Sequence, residues 1–153
     1  MPEETKTVSQ SVIEGHVYFI LPNDLNFHGT VFGGRILDEM DKVAGFAARS
    51  HSCGPSVTAA IDSVVFRGPA FKGEGLIFKA SVNRVWRTSM EVGIKVFAKN
   101  FETQEERHIV SAYFTMVSVI VSGNSDGSRK LTVTPIKYKI VPETSEQKRR
   151  YEE

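Results

Sequence analysis

The stretch that decides the fold reads Asn26-Phe27-His28-Gly29-Thr30-Val31-Phe32-Gly33-Gly34-Arg35-Ile36-Leu37-Asp38-Glu39-Met40-Asp41, a polar loop that leads through two glycines into a helix. At about 100° per residue, the helix predicted over residues 34–50 carries one continuous apolar face. Asp41 lies on the border of that face, where a carboxylate is partly desolvated and still reachable. That position suits a catalytic carboxylate, and equally an aspartate paired with a cation at an interface.

The glycine pair at the start of this helix predicts an anion site. The first turn of a helix has unpaired N–H groups and a partial positive charge, so it attracts an anion or a developing oxyanion. Gly33 and Gly34 have no side chains to keep a ligand from these N–H groups. A packing contact, in which another backbone crosses the helix at the glycines, is the alternative interpretation.

Length and composition bound the class of protein. The 153 residues suit one domain with its own core, and a net charge of +1 gives no reason to expect a nucleic-acid partner. Cys53 is the only cysteine, so the chain has no disulfide framework. The polar, acidic N-terminus and the lack of an apolar run of membrane-spanning length predict a cytoplasmic protein with no membrane span.

The order of hydrophobic periods predicts an α+β domain. A strand over residues 12–21 precedes the helix, and after the helix the period changes from 3.6 to 2 for three or four strands. The last of these, Ile109 to Val121, is apolar on both faces in its second half, which predicts a central strand. We divide the chain into a flexible N-terminus (1–10), the domain (11–140) and a charged C-terminal helix (141–153). One helix cannot cover every sheet edge, so self-association is expected.

Two further segments are candidate binding sites. His28, in the loop before the helix, is the one histidine retained, although a loop histidine bonded to backbone is the simpler interpretation. Arg87-Thr88-Ser89 offers a guanidinium and two hydroxyls beside Trp86, which suits a phosphate or a stacked adenine, and equally an ordinary polar turn. The four histidines have no metal-ligand spacing, and no known phosphate or dinucleotide motif is present, so neither a metal nor a cofactor is expected.

Several ordered motifs resemble those of the hotdog-fold acyl-CoA thioesterases, in particular the brain-type acyl-CoA hydrolases and the bacterial short-chain enzymes like them. The motifs are Asn26-x-His28-Gly29-Thr30-x-Phe32-Gly33-Gly34-x-x-Leu37-x-x-Met40-Asp41, Val57-Thr58-Ala59, Asp62-x-x-x-Phe66-x-x-Pro69, Arg87-Thr88-Ser89-Met90-Glu91-Val92 and Ala112-x-Phe114-Thr115-x-Val117. The resemblance covers about residues 12–153. It implies a hotdog fold: an antiparallel sheet wrapped around one long central helix, with a short C-terminal helix.

The resemblance also implies an assembly and a site. Two sheets join edge to edge in a homodimer with shared active sites, and such dimers often form hexamers as trimers of dimers. The carboxylate of Asp41 then works with Asn26 of the facing protomer on an acyl-CoA substrate. Gly33 and Gly34, with His28 and Thr30, belong to the oxyanion and substrate-binding group. Arg87, Thr88 and Ser89 contribute to coenzyme A binding.

One departure from the family pattern concerns the loop before the helix. Many bacterial relatives have Asn-Gly-Asp where this chain has His28-Gly29-Thr30, which bears on acyl-chain preference and on local hydrogen bonding. The predicted activity is hydrolysis of acyl-CoA to a free fatty acid and coenzyme A. The alternatives are a non-catalytic acyl-CoA sensor, a purely structural assembly protein, and a hotdog dehydratase acting on 3-hydroxyacyl thioesters. Dehydration requires a loop histidine paired with a glutamate on the helix. In this chain the helix residue is Asp41, which favours hydrolysis over dehydration.

Overall fold

In the computed structural model, which describes residues 4–153, a sheet of six strands curves around one long helix. The strands run in the spatial order β2-β4-β5-β6-β3, β7 pairs with the end of β6, and every neighbouring pair in this sheet is antiparallel. The elements are β1 (Thr5–Thr7), β2 (Ile13–Phe19), α1 (Gly33–Ser52), β3 (Ser56–Phe66), β4 (Gly75–Val85), β5 (Ser89–Lys99), β6 (Glu106–Gly123), β7 (Arg129–Val133), β8 (Lys139–Val141) and α2 (Ser145–Glu152). The predicted hotdog architecture is confirmed.

Helix α1 extends the predicted helix by one residue at its start and two at its end. It begins at Gly33 and ends at Ser52. The next residue, Cys53, has a left-handed conformation (φ 59°) that lets its N–H donate to the carbonyl of Arg49 at 2.8 Å. Its apolar face is buried against the sheet through Ile36, Met40, Val43, Ala44, Ala47 and Ala48. The helix is therefore held by one face, and its opposite face is open to a ligand or a second chain. None of the helices within residues 4–153 is long and apolar enough to cross a bilayer.

The N-terminal segment is part of the fold, although the sequence placed residues 1–10 in a flexible terminus. Residues 1–3 lie outside the described residues, but Thr5–Thr7 pair in parallel with Lys139–Val141, and Val8 is buried. Lys6 donates to the carbonyls of Ser50 (3.0 Å) and His51 (2.9 Å) at the end of α1. A cation at that end satisfies carbonyls that the helix leaves unpaired and complements its dipole, a contact that local sequence does not reveal.

Strand β6 is an interior strand of the sheet, as predicted, but its last five residues extend beyond the neighbouring strands. Residues up to Ser118 pair with β5 and β3 as predicted, but Val119–Gly123 continue beyond both and pair only with β7. In this two-stranded arm Val121, Leu131 and Val133 are exposed. The two strands of the arm hydrogen-bond to each other along their edges, and this pairing does not cover their faces. Apolar residues in the arm are therefore not evidence of burial within the sheet.

Strand β3 is an open edge of the sheet. It pairs with β6 on one side only, and two irregularities interrupt that pairing, between Thr58 and Ala60 and between Asp62 and Val65. Three apolar side chains on it are 40–47% exposed: Ile61, Val65 and Phe66. An edge strand this long and apolar is a template for pairing with another chain.

Candidate active site

The carboxylate of Asp41 is fixed by a residue of the edge strand. The hydroxyl of Thr58 donates a short hydrogen bond to Oδ1 of Asp41, and Thr58 Oγ1 also lies 3.4 Å from the sulfur of Met116. Asp41 is exposed, at the border of the buried apolar face of α1. The bond orients one carboxylate oxygen and leaves the other facing solvent, which is the geometry of a base that can reach a water molecule.

Thr58 is a candidate functional residue that was not predicted from the sequence, although it lies in the Val57-Thr58-Ala59 motif. It occurs in an alternating strand, where a threonine is ordinarily a surface residue with high strand propensity. Its contact with Asp41 depends on how α1 crosses the sheet, so the strand pattern alone carries no signal for it.

The loop before the helix holds the side chain of Asn26 in a fixed orientation. Asn26 Oδ1 accepts from the backbone N–H groups of His28 (2.9 Å) and Thr30 (3.1 Å), and Asn26 Nδ2 donates to Thr30 Oγ1 at 2.8 Å. Thr30 thus orients Asn26. The ring of His28 is exposed and contacts only the ring of Phe27 (centroids 6.1 Å apart) among the residues that the structure describes.

A buried aspartate anchors this loop to the helix. Asp24 accepts from the Leu21 N–H (2.7 Å), from the Tyr18 hydroxyl (3.0 Å) and from Arg35 Nε (2.7 Å). Burial alone raises the pKa of Asp24, but the hydrogen bonds from Leu21, Arg35 and Tyr18 outweigh burial and leave the pKa below its ordinary value. Local sequence does not reveal this role of Asp24, because its partners come from a strand and from the helix.

We expect Asp24→Asn to lower the free energy of unfolding by about 2–3 kcal/mol at pH 7, because it removes a buried charged acceptor with several donors. The Arg35 guanidinium is largely exposed and contributes little of this. Since the folded-state pKa is depressed, the stabilisation is present above the unfolded pKa of about 3.9 and is lost as pH falls through the folded value. Urea denaturation of the wild type and of Asp24→Asn should therefore show a difference in the free energy of unfolding that shrinks below about pH 4. A difference that stays constant with pH would contradict the assignment of the ionised Asp24 as the stabilising acceptor.

The first turn of α1 has the open N–H groups that the glycine pair predicts. Within residues 4–153, the N–H groups of Gly33 and Gly34 donate to no protein acceptor. A Cβ on Gly33 would meet the ring of Phe66 at 3.1 Å, whereas one on Gly34 would enter open space. Gly33 is thus needed for the close approach of Phe66, and Gly34 leaves the helix end accessible to a ligand.

The turn between β4 and β5 and the first residue of β5 carry one exposed polar side chain, Arg87, and two half-buried ones, Thr88 and Ser89. Its backbone is held by hydrogen bonds from the N–H of Trp86 to the carbonyl of Ser89 (2.8 Å) and from the N–H of Ser118 to the carbonyl of Thr88 (2.9 Å). The side chains of Arg87, Thr88 and Ser89 make no hydrogen bond or ion pair elsewhere in the described chain. They remain available to a ligand.

The predicted site residues do not all meet in one chain. Asp41 follows Gly33 by eight residues, so the two lie about 12 Å apart along the helix axis at 1.5 Å per residue. Asn26 and Asp41 share no hydrogen bond. In the part of the chain that the structure describes, no three His, Cys, Asp or Glu side chains form a group suited to a metal ion.

Comparison with known proteins identifies the family. Residues 28–103 match the model of the thioesterase superfamily. The acyl-CoA thioester hydrolase YkhA of Bacillus subtilis, itself described as uncharacterized, is 31% identical over 128 residues, which are 84% of this chain and 69% of YkhA. This chain belongs to the thioesterase superfamily. Protein VdlD of Helicobacter pylori is 39% identical over 135 residues, 88% of this thioesterase-family chain and 72% of VdlD. The human cytosolic acyl coenzyme A thioester hydrolase is 32% identical, and 98% of this chain matches 37% of that protein.

Solved structures of acyl-CoA thioesterases share the fold of this thioesterase-family chain. A hexameric acyl-CoA thioesterase without ligand is 34% identical (TM-score 0.80), with 97% of this chain and 89% of that chain covered. The acyl-CoA hydrolase of Bacillus cereus is 32% identical (TM-score 0.84; 97% and 85% covered). The hydrolase of Staphylococcus aureus, solved with butyryl coenzyme A and coenzyme A, is 28% identical (TM-score 0.77; 97% and 84% covered).

Proposed function

We propose that the protein hydrolyses acyl-CoA to a free fatty acid and coenzyme A at sites shared between two copies of the chain. The observation that carries this proposal is the Asp41 carboxylate held by Thr58, about 12 Å from the free N–H groups of the same helix. A base and an oxyanion site must both lie within hydrogen-bond reach of one carbonyl. Two copies that face each other in antiparallel fashion bring Asp41 of one chain to the helix start of the other.

In this mechanism, Asp41 takes a proton from water, and the water oxygen attacks the thioester carbonyl carbon. The carbonyl oxygen becomes negative and is stabilised by the N–H groups of Gly33 and Gly34 of the partner subunit. The tetrahedral intermediate collapses by breaking the C–S bond, and the proton held by Asp41 passes to the leaving thiolate. Asn26 of the partner subunit, oriented by its own Thr30, positions the water or the carbonyl. These steps need no metal and no cofactor.

The S. aureus relative supports the choice of residues. That hydrolase has been solved with an aspartate, a threonine and an asparagine each replaced by alanine. There the asparagine precedes the aspartate by 15 positions, and the aspartate precedes the threonine by 17. Asn26, Asp41 and Thr58 have the same two separations in this chain.

The assembly follows from the exposed surfaces. The open edge of β3, with Ile61 and Phe66 exposed, pairs with the β3 of a second copy and joins two sheets into one. One acyl-CoA thioesterase of known structure, 34% identical to this chain, is a hexamer, and we propose a hexamer built as a trimer of such dimers. One human relative is a cytosolic enzyme, and the cytoplasm is the compartment we propose here.

The proposed activity is tested by thiol release from acetyl-, butyryl-, octanoyl- and palmitoyl-CoA. We expect turnover of at least one of these thioesters, with free coenzyme A and free acid formed in equal amounts, because the site holds a base and an oxyanion group. Buffer without protein and heat-unfolded protein are the controls. Tight binding of every acyl-CoA without thiol release would overturn hydrolysis in favour of a sensor.

A further inference from the structure

A buried carboxylate joins the loop that carries Asn26 to the first turn of α1. Arg35, in that turn, donates from Nε to Oδ1 of Asp24 at 2.7 Å, and Asp24 is only 1% exposed. The backbone of Asp24 is the base of a hairpin, because its carbonyl accepts from the N–H of Phe32 at 3.0 Å. The contact between Arg35 and Asp24 therefore connects the base of this hairpin, residues 24–32, to the helix.

The hairpin is held together by its own hydrogen bonds. The N–H of Asn26 donates to the carbonyl of Thr30 at 2.7 Å, and Leu25 and Val31 form an antiparallel bridge. Because the side chain of Asn26 accepts from N–H groups of the same backbone, its amide moves only when the whole hairpin moves.

The joint between the hairpin and the helix is the weak point of this arrangement. The chain passes from one to the other through Gly33 and Gly34, and glycine has more backbone freedom than any other residue. The contact between Arg35 and Asp24 bridges this pair of glycines. Asp24 is in turn fixed to β2, since the Tyr18 hydroxyl donates to its carboxylate at 3.0 Å. The ion pair thus fixes the angle at which the hairpin meets the first turn.

We infer that Arg35 is a positioning residue, which acts through Asp24 to hold the amide of Asn26 and the free N–H groups of the first turn in one fixed arrangement. The inference rests on the proposed function, in which both groups come from one chain and act beside the Asp41 of the other. A thioester carbonyl has to meet the amide and the N–H groups together, and a shift of about 1 Å can cost about 100-fold in rate. Arg35 itself need not contact the substrate.

The guanidinium of Arg35 is suited to this role by its shape. Its Nη1 lies 3.6 Å from Oδ2 of Asp38 on the helix surface, while its Nε bonds to Asp24. A planar guanidinium can face both carboxylates at once, and a lysine ammonium has no such fork. Because the Arg35 side chain is 43% exposed, the pair contributes little to the free energy of unfolding, and its loss should appear mainly in catalysis.

The first test separates positioning from stability. Arg35→Met should lower kcat about tenfold to a hundredfold with KM within about threefold, because the reacting groups are misplaced and not removed. Its urea midpoint should move by less than about half the shift of Asp24→Asn. Arg35→Lys should recover part of kcat, since it keeps the charge but not the fork. The matched control is Asp38→Asn, which removes the other partner of Arg35 and should leave kcat within about twofold of the wild type.

Chemical rescue supplies a readout that a structural role would not move. Arg35→Ala leaves space beside Asp24, and millimolar guanidinium chloride, far below the molar concentrations that unfold proteins, should raise its kcat several-fold. Sodium chloride at the same ionic strength should not. A loss of kcat that guanidinium does not reverse, with a urea midpoint as low as that of Asp24→Asn, would make Arg35 a structural residue and overturn the inference.

Mixed oligomers show to which half of the site Arg35 belongs. Arg35→Met with Asp41→Asn should exceed the mean activity of the two separate variants, because each chain lacks a different half. Arg35→Met with Asn26→Ala should only equal the mean of those two variants, because both changes affect the same half. No gain with Asp41→Asn, or wild-type kcat in Arg35→Met while Asp41→Asn is inactive, would overturn the positioning role and leave the hydrolase standing. An active Asp41→Asn would instead count against the proposed function.

Discussion

Asp41→Asn is expected to lower kcat for acyl-CoA hydrolysis about 1,000-fold while KM changes by less than about threefold. An asparagine keeps the size of the side chain and still accepts the hydrogen bond from Thr58, but it cannot take a proton from water. General-base catalysis contributes about 10²–10⁴-fold. A loss confined to kcat marks an interaction made in the transition state rather than in substrate binding. The measurement is steady-state thiol release with the best acyl-CoA substrate.

The matched control for this substitution is Asp38→Asn, three residues earlier on the same helix. Asp38 is also exposed, but its carboxylate pairs with Lys42 at 3.1 Å and with Arg35 at 3.6 Å on the helix surface. Surface pairs of this kind contribute little, so activity should stay within about twofold of the wild type. If Asp38→Asn and Asp41→Asn reduce kcat to the same degree, or if Asp41→Asn retains a tenth of the activity, Asp41 is not the base.

The geometry also bears on the dehydratase alternative. That reaction needs a histidine and an acidic residue acting together on the substrate. The ring of His28 is exposed and contacts Phe27, while the backbone N–H of His28 donates to the side chain of Asn26. The loop thus orients an amide rather than an imidazole. A carboxylate oriented by a threonine hydroxyl is suited to take a proton from water, as hydrolysis requires.

Local sequence predicted the parts of the fold that depend on local periodicity. The helix and the position of Asp41 on it follow from the spacing of apolar residues, because a helix repeats every 3.6 residues wherever it packs. The cap at the start of α2 is equally local, since Thr144 accepts from the N–H of Gln147 three residues later. These features need no knowledge of what the helix touches.

The features that the sequence did not predict depend on contacts between distant segments. Thr58 reaches Asp41 only because α1 crosses the edge strand at that point, and Asp24 is buried only because a strand and a helix supply its donors. Strand β6 is an interior strand as its apolar residues predicted, but its last five residues continue past β5 and β3. The hydrophobic pattern does not reveal which part of a strand has neighbours on both sides.

A site shared between two chains predicts that two variants, each impaired alone, complement each other in mixed oligomers. Asn26→Ala should lower kcat about 100-fold, within the range seen when one polar group that stabilises an oxyanion is removed. Co-expression of Asn26→Ala with Asp41→Asn should then restore about a quarter of the wild-type activity in a hexamer of randomly mixed chains, and about half in a dimer with one copy of each variant, because those fractions of the sites combine an intact Asp41 with an intact Asn26 from the other chain. The measurement is thiol release by mixed oligomers purified through a different tag on each variant.

The control for complementation is the pairing of Asp41→Asn with Thr58→Ala. These residues contact each other within one chain, so every site in the mixed oligomer has one of the two changes. Its activity should equal the mean of the two separate variants. Restoration in this control would show that chains contribute Asp41 and Thr58 independently. If Asn26→Ala gives no restoration, the Asp41 and the Asn26 of each site come from the same chain. The base and the first turn of the helix in that chain are about 12 Å apart, so they could not both contact one carbonyl group.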